Sequence, residues 1–92
     1  MTVIIYDTNK KLYIEYSVIE KLPGHTEYNE SGTNTWDKFL LEDGLGNNFA
    51  LLTDRDFVFY LYSMVDGKEE LREHGCYNKL KWEGELNEAT WL

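Results

Sequence analysis

The stretch "KLYIEYSVI", residues 11–19, narrows the possible folds more than any other part of the chain. Leu12, Ile14, Tyr16 and Val18 fall on one side of a period-two pattern, and Tyr13, Glu15 and Ser17 on the other. Successive side chains leave a strand in opposite directions, so this alternation marks a strand buried on one face. "VIIY" before it (3–6) is β-branched, and "DTNK" between them (7–10) supplies turn residues. Together they read as a β-hairpin.

The other segments are read by the same physics. "EKLPGHTEYNESGTNT" (20–35) holds the only proline, Pro23, followed by Gly24, and reads as a long polar loop. "WDKFLLE" (36–42) and "FALLT" (49–53) flank "DGLGNN" (43–48), whose glycines and asparagines tolerate positive φ, so a second hairpin is expected. Residues 54–74 carry two patterns. Phe57, Leu61, Met64 and Val65 share a helical stripe; Thr53 stands as an N-cap with Asp54 and Asp56 behind it. "GKEELREHG" (67–75) is rich in helix formers and closed by glycine. Helix is expected through much of 54–74, broken near Asp66-Gly67, with a strand at 57–65 as the alternative. "CYNKLKWEGEL" (76–86) returns to strand-like alternation. The expected fold class is α+β: a small antiparallel sheet of hairpins with one or two helices in the C-terminal half. At 92 residues the chain is one domain, 1–92, with a modest core, and seven tyrosines, four phenylalanines and three tryptophans help fill it.

Charge bounds the function. Seventeen acids against nine bases leave a net charge of −8, which repels phosphate on average. Direct binding of nucleic acid or anionic membrane is therefore disfavoured and a cationic partner favoured; alternatively the charge only keeps the protein in solution. A single cysteine, Cys76, suits a reducing cytoplasm. The N-terminus lacks the pattern of a signal peptide, and no run is long enough to span a membrane.

Catalytic and metal chemistry find little footing. His74 and Cys76 lie close, but His25 is the only other histidine, too few for a zinc site. A calcium loop begun at Asp7 would place Lys11 and Tyr13 at ligand positions. Gly44 and Gly46 lack the third glycine of a dinucleotide fingerprint. Ser17, Ser31 and Ser63 sit in no nucleophile motif, and Cys76 with His74 lacks an orienting third group. The carboxylate pairs Glu42/Asp43, Glu69/Glu70 and Glu83/Glu85 are what so acidic a composition produces by itself. The expectation is no enzyme, no cofactor and no metal.

An acidic surface remains. Its candidate members are Glu27, Glu30, Asp37, Glu42, Asp43, Glu69, Glu70, Glu73, Glu83, Glu85 and Glu88. A helix over 68–74 would stack Glu69 and Glu73 on one face. Trp91 and Leu92 would anchor the chain end while Glu83, Glu85 and Glu88 stay in water. A body roughly 30 Å across faces about 18 phosphate charges of duplex, so imitating DNA requires the bases to be segregated from an acidic face. The base-free stretches "EYNESGTNTWD" and "EGELNEATWL" hint at that sorting. In size, acidity and these stretches the chain resembles the phage anti-restriction proteins that imitate DNA. The resemblance implies a homodimer that occupies the basic DNA-binding surface of a restriction endonuclease in the host cytoplasm, without catalysis. Two alternatives stand beside it: an immunity-type inhibitor of a basic toxin nuclease, and a β-rich protein-binding module whose acidity is incidental.

Overall fold

The structure, a computed structural model, describes residues 1–54 and 58–83. Seven strands form one antiparallel sheet: β1 (Thr2–Asp7), β2 (Leu12–Asn29), β3 (Gly32–Glu42), β4 (Asn48–Asp54), β5 (Val58–Val65), β6 (Lys68–Cys76) and β7 (Leu80–Glu83). Their spatial order is β6-β5-β4-β3-β2-β1-β7. The first six strands form an up-and-down meander, and the sheet curls into a half-barrel. A single turn of 3-10 helix, Tyr77–Lys79, separates β6 from β7. The last run of chain therefore pairs first with β5 and then with β1, linking opposite edges of the meander.

The fold is not α+β. Among the described residues the 3-10 turn is the only helical element, and the expected helices of the C-terminal half are strands. Asp66 and Gly67 both have positive φ, 53° and 75°, the geometry of a two-residue hairpin turn, and Val65 pairs with Lys68 across it. That turn commits both flanks to β structure. The helix formers of 68–74 then lie in an edge strand, where intrinsic preference yields to pairing and charged side chains suit the exposed position. Thr53 is not an N-cap: it is a buried strand residue paired with Phe59. Asp54 instead accepts a hydrogen bond from the Val58 amide at 2.9 Å. Asp56 and Phe57 lie outside the described residues, as does Leu86.

The expected loop over 20–35 is also strand. β2 and β3 pair down to Asn29 and Gly32, with Glu30 and Ser31 in the turn. Two bulges, between Val18 and Glu20 and between Leu22 and His25, each insert an extra residue into β2. Pro23 and Gly24 occupy the second bulge, the position in a sheet that tolerates a missing amide donor. At Gly24 a Cβ would stand 2.0 Å from the Trp36 carbonyl oxygen, so the close approach of the two backbones requires glycine. Among the described residues no further strand pairs beside this hairpin beyond Trp36, and it projects as an arm.

The concave face holds the core. Val3, Ile5, Tyr16, Phe39, Leu41, Leu51, Phe59, Leu61 and Leu80 are buried there, with Ile14, Val18, Phe49 and Trp82 packed against them. The inward stripe of 11–19 supplies Ile14, Tyr16 and Val18 to this cluster. On the outer face four rings from four strands form a row: His25 on Trp36 at 6.2 Å, Trp36 on Tyr60 at 5.8 Å, and Tyr60 on His74 at 6.2 Å. No helix among the described residues is long and apolar enough to cross a membrane.

Candidate functional site

The meander sorts its turns between two ends. The β1–β2, β3–β4 and β5–β6 turns gather at one end, and the β2–β3 arm leaves from the other. Each end carries a different arrangement of the acids singled out from sequence.

At the arm end the bulges decide which way charges face. Glu15 lies opposite Ile4, Glu20 opposite Leu40 and Glu27 opposite Asn34, all on the outer face. Lys21, beside Glu20 in sequence, pairs with the core residue Phe39 and turns inward, where its Nζ lies 3.5 Å from Asp37. Glu27 and Glu30 are exposed, and Tyr28 beside them is 80% exposed. Glu27 sits 3.3 Å from His25 Nε2. Among the described residues no lysine or arginine pairs with Glu15, Glu20, Glu27 or Glu30.

Other predicted acids are taken up by neighbours. Glu69 bonds Lys38 at 2.7 Å, and Glu83 lies 3.9 Å from Lys81. Glu42 and Glu70 are exposed. Glu69 and Glu73 do not form an acidic helix face: β6 is a strand, Glu69 stands in solvent, and Glu73 is only 7% exposed. Glu85, Glu88, Trp91 and Leu92 lie outside the described residues, so the tail-anchoring role falls there too.

At the turn end a cavity of about 420 Å³ opens into the half-barrel. Asp7 from β1, Asp43 after β3 and Glu73 from β6 line it, with Lys10 and Arg72 as the cations. Ile14, Tyr16, Phe49, Leu61, Met64 and Val65 form its apolar wall. Each polar group has a local cause. Asp43 folds the β3–β4 turn around itself, accepting from the amides of Leu45 and Asn47 at 2.9 Å and from Asn47 Nδ2 at 3.1 Å. Burial alone would raise its pKa, but the donors of Asn47, Leu45 and Gly46 together outweigh that and hold the carboxyl below its ordinary value. A bulge in β6, where Leu61 faces Glu73 and Tyr62 faces Leu71, leaves Arg72 as the extra residue. Arg72 and Glu73 consequently both line the cavity. Arg72 Nε donates to Ser63 Oγ at 2.9 Å. Glu73 reaches across to the first hairpin, where Thr8 Oγ1 lies 2.9 Å from both carboxylate oxygens and the Thr8 amide 3.4 Å from each.

Tyr16 forms part of the cavity wall. It is 4% exposed, packs edge-on against Phe49 at 5.0 Å, and has a pKa raised to about 12 by burial first and then by the charges of Asp7, Asp43 and Glu73. The sequence assigns Thr8 and Arg72 to no site, offers Asp7 only as the start of a calcium loop and Ser63 only as a nucleophile without a motif, and marks Tyr16 only as part of an inward stripe. Tyrosine within an otherwise aliphatic inward stripe was the one visible signal. Among the described residues no three His, Cys, Asp or Glu side chains gather to hold a metal ion. Comparison with family models, with curated proteins and with solved structures found no match to this chain.

Proposed function

We propose that the protein is an acidic decoy that binds the basic DNA-binding surface of a nuclease in the cytoplasm and competes there with DNA. The outward row of β2 carries this reading: Glu15, Glu20 and Glu27 face solvent and lead to Glu30 at the turn, while the one lysine of the strand, Lys21, faces inward onto Asp37. The outward cations nearest this row, Lys38 and Lys81, are each matched by an acid of their own. This is the segregation of charge that such a decoy needs.

Magnitudes define what kind of decoy it is. The molecule measures 40 × 28 × 26 Å. Duplex DNA carries about one charge per 1.7 Å, so its long axis alone spans about 24 phosphates. Along β2, five and seven residues separate successive acids, roughly 16 and 23 Å at full extension. The spacing exceeds the ~8 Å Debye length at physiological salt, so the acids act as separate contacts and not as a continuous polyanion. The row steers association and selects a partner with cations at matching intervals; it does not copy phosphates one for one.

The test is capture of nucleases from bacterial lysate on the immobilised protein, beside a Glu15→Lys, Glu20→Lys, Glu27→Lys variant of unchanged fold. The expected result is a DNA-binding nuclease held by the native protein, released by salt and by duplex DNA, and not held by the variant. Equal retention by both proteins would refute the proposal.

A further inference from the structure

The turn-end cavity belongs to the other end of the molecule, and the decoy reading makes no use of it. Three observations there point the same way. Tyr16 lines the cavity under the negative charges of Asp7, Asp43 and Glu73, and among the described residues its hydroxyl has no hydrogen-bond partner and stays open to the cavity. A hydroxyl so placed is free to accept a hydrogen bond from a molecule entering the cavity. Glu73 is buried, yet among the described residues it receives hydrogen bonds from Thr8 alone and no cation lies within bonding distance. The wall below is apolar and aromatic, with the Tyr16 and Phe49 rings set edge to face.

We infer that this cavity binds a small organic monocation, a primary ammonium on a compact apolar or aromatic body. The charge balance fits: Asp7, Asp43 and Glu73 against Lys10 and Arg72 leave one net negative charge on the lining. The volume of about 420 Å³ lies within the range of small-molecule sites. The ammonium takes its place among the carboxylates and donates to the Tyr16 hydroxyl, and the body lies against Ile14, Phe49 and Leu61. A metal ion fits less well, since the carboxylates are not gathered into a coordinating set. The same ammonium chemistry is carried by a partner's lysine, but that narrow side chain leaves most of the cavity unfilled.

Calorimetry and amide chemical-shift mapping on the full chain test the assignment with 2-phenylethylamine as the probe. Binding in the millimolar range or tighter is expected, with shifts at Asp7, Tyr16, Phe49, Ser63 and Glu73. The neutral isostere 2-phenylethanol should bind about tenfold more weakly, as should the amine to Tyr16→Phe, which keeps the ring and removes only the hydroxyl. Glu73→Gln gives a second, independent reading of the same loss. Phenylalanine, with its added carboxylate, and Nα-acetyl-lysine amide, which represents a protein side chain, should both bind more weakly than the amine. No binding of the amine, equal binding of the alcohol, an unchanged Tyr16→Phe affinity, or tighter binding of either amino-acid probe would overturn the inference.

Discussion

Replacing Thr8 by valine should open the half-barrel at its turn end. Thr8 lies in the turn after β1 and Glu73 in β6, 65 positions apart in the chain. Its hydroxyl is 2.9 Å from both oxygens of a carboxylate that is 7% exposed. Valine keeps the shape and removes the donor. A hydrogen bond to a charged group contributes about 1.5–3 kcal/mol, and here its loss also leaves a buried charge held only by the longer amide contacts. In a domain of this size each kcal/mol moves the melting temperature by roughly 4–8 °C, so a fall on the order of 10 °C is expected. Urea denaturation gives the free energy directly. Thr8→Ser, which restores the hydroxyl, should recover most of the loss. In a Glu73→Gln background the same Thr8→Val change should cost about half as much, because a neutral acceptor makes a bond roughly half as strong. Thr8→Val stability within about 0.5 kcal/mol of wild type, or an undiminished cost in the Glu73→Gln background, would refute the claim that this contact holds the two elements together.

Two other outcomes follow from the same geometry. Gly24→Ala should destabilise the protein by about 1–3 kcal/mol in urea denaturation, since the added methyl meets the Trp36 carbonyl and β2 and β3 must part to admit it. Tyr16 has a folded pKa of about 12 against 10.0 unfolded, so its contribution to stability is complete below pH 10 and is lost as pH rises through 12. Stability measured from pH 9 to 12 should therefore fall less steeply in Tyr16→Phe than in wild type; parallel curves would show that Tyr16 does not titrate differently in the two states.

The legible parts of the fold were those where local pattern and tertiary environment agree. The alternation at Ile14, Tyr16 and Val18 needs only one buried face, and it has one, while Leu12 at the start of the stripe stays exposed. The turn at 43–47 was visible because Asp43, Gly46 and Asn47 carry the required chemistry in their own side chains and φ. Residues 68–74 were misread because Lys, Glu, Leu and Arg suit a helix in isolation, whereas the Asp66-Gly67 turn and pairing with β5 place them in an edge strand. Residues 20–35 were misread because Pro23 and Gly24 mark loops in general and a bulge in this protein. The charged row was half visible. Glu27 and Glu30 stood in a base-free stretch, but Glu15 and Glu20 were hidden by Lys21, and only the bulge register shows that the lysine faces the other way. The cavity was beyond reach for a similar reason: Glu73 turns inward through an irregularity between Leu61 and Tyr62 that no local pattern announces.

The final descending run has a consequence for how the molecule is made. β1 leaves the ribosome ahead of the other described strands, yet the partner for its free edge, β7, comes last of them. Five hairpins can zip in order as the chain emerges, each from neighbours close in sequence. The seam between β1 and β7 cannot. It joins distant segments, so loop-closure entropy makes it the slow step. Until then Val3 and Ile5 remain beside an unpaired backbone edge, and this interval is when the nascent chain is most exposed to sticking to its own copies.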